Sequence, residues 1–135
     1  MVKVGVSVII RNHKNEFLVG KRKGSHGEGL LSIPGGHLEF NESYNLCCDR
    51  ELMEEIGVNF GKYEKVGFSE DFFKVGDDTK HYITLYFAVD VNSDKIKIVN
   101  MEPDKCEEWL WVKFEDLSEN MFCDTYSQIK NYYYI

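Results

Sequence analysis

Gly36–Val58, GHLEFNESYNLCCDRELMEEIGV, concentrates six acidic residues and one arginine in a single short stretch. No glycine or proline interrupts residues 43–56, Asn41 suits the N-cap and Gly57 the stop, so Ser43–Ile56 reads as a helix. At about 100° per residue, Glu51 and Glu55 fall one turn apart on one face with Glu54 beside them. Leu46, Leu52, Met53 and Ile56 occupy the other side. Carboxylates this close repel by roughly 0.2–0.5 kcal/mol per pair, and near the C-terminal end they also oppose the helix dipole. A cation should compensate them. Hard oxygen ligands at one-turn spacing suit Mg²⁺ or Mn²⁺, which take few carboxylates and share the rest of their shell with water and substrate phosphates. The plain alternative is a solvated acidic face, the usual fate of a charge run.

Spacing separates these readings. The stretch fits G-x5-E-x7-R-E-U-x-E-E-x-G-U, where U is aliphatic, through Gly36, Glu42, Arg50, Glu51, Leu52, Glu54, Glu55, Gly57 and Val58. At roughly 6% per fixed residue, a chance match is on the order of 10⁻⁹ per starting position. The pattern, box 36–58, resembles the signature of the Nudix hydrolases, with no departure at any defined position.

The rest of the chain sets bounds. Its 135 residues suffice for one domain, 1–135, able to bury roughly two-thirds of the surface an unfolded chain exposes. With 16 basic against 23 acidic residues the net charge is −7, which disfavours a nucleic-acid polymer as partner and favours a small, metal-neutralised substrate. Cys47, Cys48, Cys106 and Cys123 form no C-x-x-C pair and read as reduced thiols of a cytoplasmic protein. No signal-peptide layout or apolar run approaching a membrane span is visible, so neither targeting nor membrane insertion is expected.

Taken in order, Val2–Ile10 reads as a strand buried on both faces, and Glu16–Lys21 as its hairpin partner. The cluster Lys21-Arg22-Lys23 then enters the glycine-rich loop Gly24–Gly29. Leu31–Gly36 is a short strand ending in a double glycine, where the main chain can approach a ligand that a Cβ would block. Residues 62–74 and 80–91 read as two strands joined by Val75–Thr79. Lys95–Met101 reads as a short strand or extended loop. The acidic segment from Asn100 feeds a strand whose Trp109 and Trp111 share one face, as a core or edge pair. Phe114–Leu117 reads as a turn, and Asp124 caps a last helix through Asn131. Strands flanking a central helix with another at the end predict an α/β/α sandwich around a mixed central sheet, the fold of a Nudix domain.

Beyond the box, VGKRKGSHGEG, SIPGGHLEF, HYIT and NMEPDKCEEWLWV resemble the MutT-like 8-oxo-dGTP and thiopurine-nucleotide diphosphatases, over roughly residues 2 to 117. That resemblance implies hydrolysis of a nucleoside triphosphate, 8-oxo-dGTP among the candidates, to monophosphate and pyrophosphate, with Mg²⁺ as cofactor and Mn²⁺ as substitute. It implies Glu51, Glu54, Glu55 and the Gly35 carbonyl as metal ligands, with Arg50 orienting the glutamates. A further acid comes from the later loop, Glu102 ahead of Asp104 and Glu107. The general base is Glu51, Glu54 or an acid from that loop, and Glu42 is structural. Substrate contacts carried over are Arg22, His37, Thr84 and Phe122, with Asp124 as base partner or helix cap. Where related proteins often place Phe-Trp, this chain has Phe122-Cys123. Relatives also cleave dihydroneopterin triphosphate or isoprenoid diphosphates, and a non-catalytic nucleotide sensor is a third reading that the complete set of box acids opposes. A homodimer is expected by the same analogy.

Overall fold

The computed structural model describes residues 1–24 and 27–134. The first strand, β1 (Lys3–Asn12), is the axis of the sheet. Its alternation sends Val6, Val8 and Ile10 into one core and Ile9 into the other, all essentially inaccessible to solvent. It is followed by β2 (Glu16–Arg22), β3 (Leu31–Ser32), β4 (Gly35–His37), α1 (Tyr44–Ile56), β5 (Glu64–Val75) and β6 (Asp78–Val91). The last elements are β7 (Cys106–Lys113) and α2 (Thr125–Tyr133), with single 3₁₀ turns at Ser93–Lys95 and Phe114–Asp116.

The sheet is mixed. β1 runs parallel to β6 from Lys3↔Tyr82 to Asn12↔Val91, while β1–β2, β1–β4, β2–β3, β2–β7 and β5–β6 are antiparallel. α1 covers one face with Cys47, Cys48, Leu52 and Ile56, and α2 covers the other with Ile129. The α/β/α sandwich expected from the sequence is therefore the fold. Complete burial of Leu52 and Ile56 stabilises the α1 layer by about 1.5–3 kcal/mol each. No helix among the described residues is long and apolar enough to cross a membrane.

Local departures from the sequence reading have physical causes. The N-cap of α1 is Ser43, whose hydroxyl accepts from Leu46 N–H, whereas Asn41 adopts a left-handed φ of 64° in the preceding turn. Gly57 ends the helix in the αL conformation, as expected. The inner face carries Cys47 and Cys48, while Leu46 and Met53 are exposed. Burial pushes both thiols up to about 12, so these cysteines are packing residues. The β1–β2 hairpin pairs at Arg11↔Phe17, after which β2 diverges to β7 and β4 takes its place beside β1. Residues 96–105 form a loop without a strand, and α2 runs to Tyr133. Trp109 and Trp111 each pack against the α1 core.

Candidate active site

Two glycines set the geometry of the acidic end. β4 lies so close to its neighbours that a Cβ on Gly35 would sit 2.1 Å from the Val6 carbonyl oxygen, and one on Gly36 would sit 2.1 Å from the Glu51 carboxyl carbon. The side chain of α1 thus reaches across the strand where only glycine leaves room. Gly35 N–H donates to Glu55 Oε2 at 2.7 Å, tying the turn to the helix. Gly36→Ala is expected to displace Glu51, lowering kcat/KM at least tenfold with a melting temperature reduced by only a few degrees. Steady-state kinetics and a thermal melt check this, and a fully active variant would show that Glu51's position is unimportant.

Arg50 organises the next shell. Its Nε and Nη2 grip Glu42 at 2.6 and 2.9 Å, Nη1 donates to Glu51 at 2.7 Å and to Glu54 at 3.4 Å, and Nη2 also reaches the His37 carbonyl at 2.9 Å. This fork holds the Glu42 carboxyl down to about 2, and Glu42 raises Arg50 in return. Burial lowers His37 first, assisted by Lys3 and Arg50, so its imidazole is neutral at pH 7. Its Nε2 lies 2.8 Å from the Tyr82 hydroxyl.

Glu55 is the most deeply set carboxylate of the cluster. Burial, then the charges of Glu51 and Glu102, push it up to about 8, although Gly35 N–H and Arg22 pull the other way. Burial raises Glu51 as well, against the hydrogen bond from Arg50. Glu102 comes from the loop after β6, which is fastened to the end of α1 by Val99 N–H to the Ile56 carbonyl and Met101 N–H to the Glu55 carbonyl. Those bonds satisfy carbonyls that a helix terminus leaves open. Glu102 lines the cleft; Asp104 does not, and Glu107 does not, pairing instead with Lys21 at 3.2 Å.

One cleft of about 540 Å³ joins this acidic end to an aromatic end. Gly35, Glu51, Glu54, Glu55, Glu102 and Arg50 line it, as do Arg22, His37, Thr84 and Phe122. A register shift in β2 between Gly20 and Arg22 re-aims Arg22, whose guanidinium lies 3.7 Å from the centre of the Phe122 ring. Phe122 also stacks on Phe73 at 5.0 Å, so an incoming ring meets an aromatic group already engaged by two partners. Asp124 is outside the lining. Its carboxylate accepts from Gln128 Nε2 at 3.1 Å and makes no side-chain cap bond to α2. Ser25 and His26 of the glycine-rich loop lie outside the described residues.

The sequence reading missed Phe73, Tyr82 and Cys123 in the lining. Strand alternation offered a signal for the first two, because Phe73 and Tyr82 share a sheet face with Thr84. Five carboxylates border the cleft, Glu39 at its rim with Glu51, Glu54, Glu55 and Glu102, and Glu55 is deeply set beside two of the others, an arrangement that suits a hard divalent cation. Among the described residues no three acids, histidines or thiols are already gathered closely enough to hold one, so the side chains would have to turn toward the ion.

The chain belongs to the NUDIX domain family, whose sequence pattern matches residues 1–132. It is 30% identical over 99 residues to the low-salt glycan biosynthesis protein Agl8 of Haloferax volcanii, covering 70% of this chain and 63% of that protein. It is 33% identical over 92 residues to an 8-oxo-dGTP diphosphatase of Escherichia coli, covering 64% of this chain and 65% of the relative. The matched region therefore spans less than two thirds of each of these relatives. The crystal structure of a MutT NUDIX hydrolase from Burkholderia pseudomallei superposes with a TM-score of 0.83 over 96% of this chain and 97% of its own, at 20% identity, a likeness of fold.

Proposed function

We propose that this protein is a divalent-metal-dependent nucleoside triphosphate diphosphatase, releasing a nucleoside monophosphate and pyrophosphate. The observation that carries the reading is one continuous cleft with five carboxylates at one end and an aromatic, hydrogen-bonding compartment at the other. The first suits a metal-bound phosphate chain and the second a planar base. The similarity to an 8-oxo-dGTP diphosphatase supports a nucleotide, and an oxidised guanine nucleotide belongs among the substrates to be tested.

In this reading Glu51, Glu54, Glu55, Glu102 and the Gly35 carbonyl hold Mg²⁺ or Mn²⁺. When bound, the metal would lower the pKa of water and offset negative charge on the phosphoryl oxygens. Arg50 fixes Glu51 and Glu54 in place, so that little reorganisation is needed when substrate arrives. Arg22 is suited to a phosphate or base edge, while His37 and Thr84 contact the remainder of the nucleotide. A compartment carrying Thr84, His37 and Arg22 favours a polar ring over an isoprenoid tail.

The test is pyrophosphate release from a panel of (deoxy)nucleoside triphosphates, 8-oxo-dGTP, dihydroneopterin triphosphate and geranyl diphosphate. We expect turnover of nucleotides with Mg²⁺ or Mn²⁺ and loss of at least 10³-fold in excess EDTA, restored by adding the metal back. Activity confined to geranyl diphosphate would refute the base compartment. Full activity in chelator would refute the metal assignment.

A further inference from the structure

Beneath the aromatic end of the cleft runs a chain of half-buried hydrogen bonds whose direction is fixed at both ends. Asp124 N–H, which can only donate, gives its proton to the Tyr86 hydroxyl at 3.2 Å. Tyr86 and Ser69 lie 3.3 Å apart, and Ser69 Oγ is 2.8 Å from Asp71 Oδ2, which as a carboxylate can only accept. Ser69 has one proton. The shorter, charge-assisted bond to Asp71 claims it, leaving Tyr86 as donor to Ser69. Thr84 Oγ1 donates to the same carboxylate oxygen from the other side, at 2.9 Å. Thr84 is 4% exposed, and it borders the cleft.

We propose that Asp71, outside the cleft lining, is a positioning residue that commits the Thr84 proton and so presents Thr84 Oγ1 to the cleft as a hydrogen-bond acceptor, selecting substrates whose ring carries an exocyclic amine. This rests on the nucleotide reading above and narrows it. A hydroxyl with its proton engaged has only lone pairs left to offer, so a ring carbonyl at that point would face another acceptor. An amine brings a proton to that acceptor, and the Asp71 carboxylate behind Thr84 acts only by holding the hydroxyl proton away from the cleft. Cys123, which also borders the cleft, shares a side-chain hydrogen bond with Thr84, so at most one lone pair of Oγ1 is left for the ring; a substrate lacking the amine leaves that lone pair unused, and sites built on such bonds discriminate more strongly than apolar pockets do.

Asp71→Asn breaks the arrangement without changing size. The amide can donate to Thr84, releasing the hydroxyl proton toward the cleft. Thr84→Val removes the acceptor while keeping the branched shape.

The experiment compares kcat/KM for ATP and GTP with that for ITP, which shares the purine and triphosphate but has no exocyclic amine. The ratio within one protein sample is insensitive to partial unfolding. We expect the wild type to prefer ATP or GTP over ITP at least fivefold. Asp71→Asn and Thr84→Val should each bring that ratio below twofold. Equal turnover of all three by the wild type would overturn this inference and leave the diphosphatase reading standing. An undiminished preference in both folded variants would overturn it as well. Turnover of none would overturn the diphosphatase reading, and this inference with it.

Discussion

Glu55→Gln is expected to lower kcat by at least 10³-fold while making the metal-free protein more stable at pH 8. Glutamine keeps an oxygen for Gly35 N–H, so the 2.7 Å bond that ties β4 to α1 can persist. What disappears is a deeply set negative charge beside Glu51 and Glu102. Folding raises the Glu55 pKa from its ordinary 4.5 to about 8, so between those values the folded chain holds a proton that the unfolded chain has released. The resulting stabilisation is complete below pH 4.5 and lost as pH rises through 8. Because Glu55 lines an open cleft and is only half-buried, solvent screens part of that loss, leaving on the order of 2–3 kcal/mol, or roughly 10 °C of melting temperature in a domain of this size. Wild-type protein in EDTA should therefore melt progressively lower from pH 5 to pH 8.5, with Mg²⁺ restoring most of the difference. The variant should show a flatter profile and little response to Mg²⁺. If Glu55→Gln instead melts far below wild type at pH 8, the acid holds the fold and the metal-site assignment loses its physical basis.

Arg50→Met should damage both stability and rate. It strips partners from Glu42 and Glu51, whose side chains are only 15% and 12% exposed, and from the His37 carbonyl. Unpairing charges at such positions costs several kcal/mol when burial is complete; with Arg50 itself 29% exposed, about 2–3 kcal/mol is expected. Turnover should fall on the order of 10²-fold or more, because Glu51 and Glu54 lose the group that aims them. Arg50→Lys distinguishes charge from shape. Lysine keeps the charge but cannot reproduce a fork spanning Glu42, Glu51 and a carbonyl, so it should recover part of the stability and little of the rate. The acid limb offers a second readout. Arg50 holds the folded Glu42 at about 2, so that contribution to stability is present above pH 4.5 and fades as pH falls through 2. The fade should vanish in Arg50→Met. Wild-type kinetics in Arg50→Lys would show that a point charge is enough.

The acidic end of the cleft was legible in the sequence because it is local. Glu51, Glu54, Glu55 and Arg50 lie within two helical turns, where spacing alone fixes their relative direction. Smaller choices within that stretch turned on competition between similar residues. Asn41 and Ser43 are both good caps, and the left-handed backbone at Asn41 decided for Ser43. Cys47 and Cys48 drew attention as thiols, although their position on the wheel makes them the hydrophobic face. The aromatic end was poorly legible. It assembles Arg22, Phe73, Tyr82, Thr84 and Phe122 from separate segments, and whether they meet depends on strand register and on a shift in β2 that spacing does not encode. Asp124 illustrates the difficulty: its neighbour Cys123 lines the cleft, and one residue further the side chain is bound to Gln128.

The long parallel ladder between β1 and β6 bears on the order in which this molecule can be made. Residues 79 apart in sequence are neighbours there, as Arg11 and Asp90 are, so the centre of the sheet cannot close until β6 has been synthesised. α1, with its crowded carboxylates, leaves the ribosome well before that. Pairings of such separation make folding slow and leave apolar strand edges exposed in the interval. For the nascent chain, Val6, Val8 and Ile10 are a sticky β-branched segment awaiting a partner some seventy residues of synthesis away, at about 5–20 residues per second. Substitutions in β6 that weaken the ladder should thus reduce the yield of soluble chain in a cell more than they reduce the melting temperature of the molecules that finish folding.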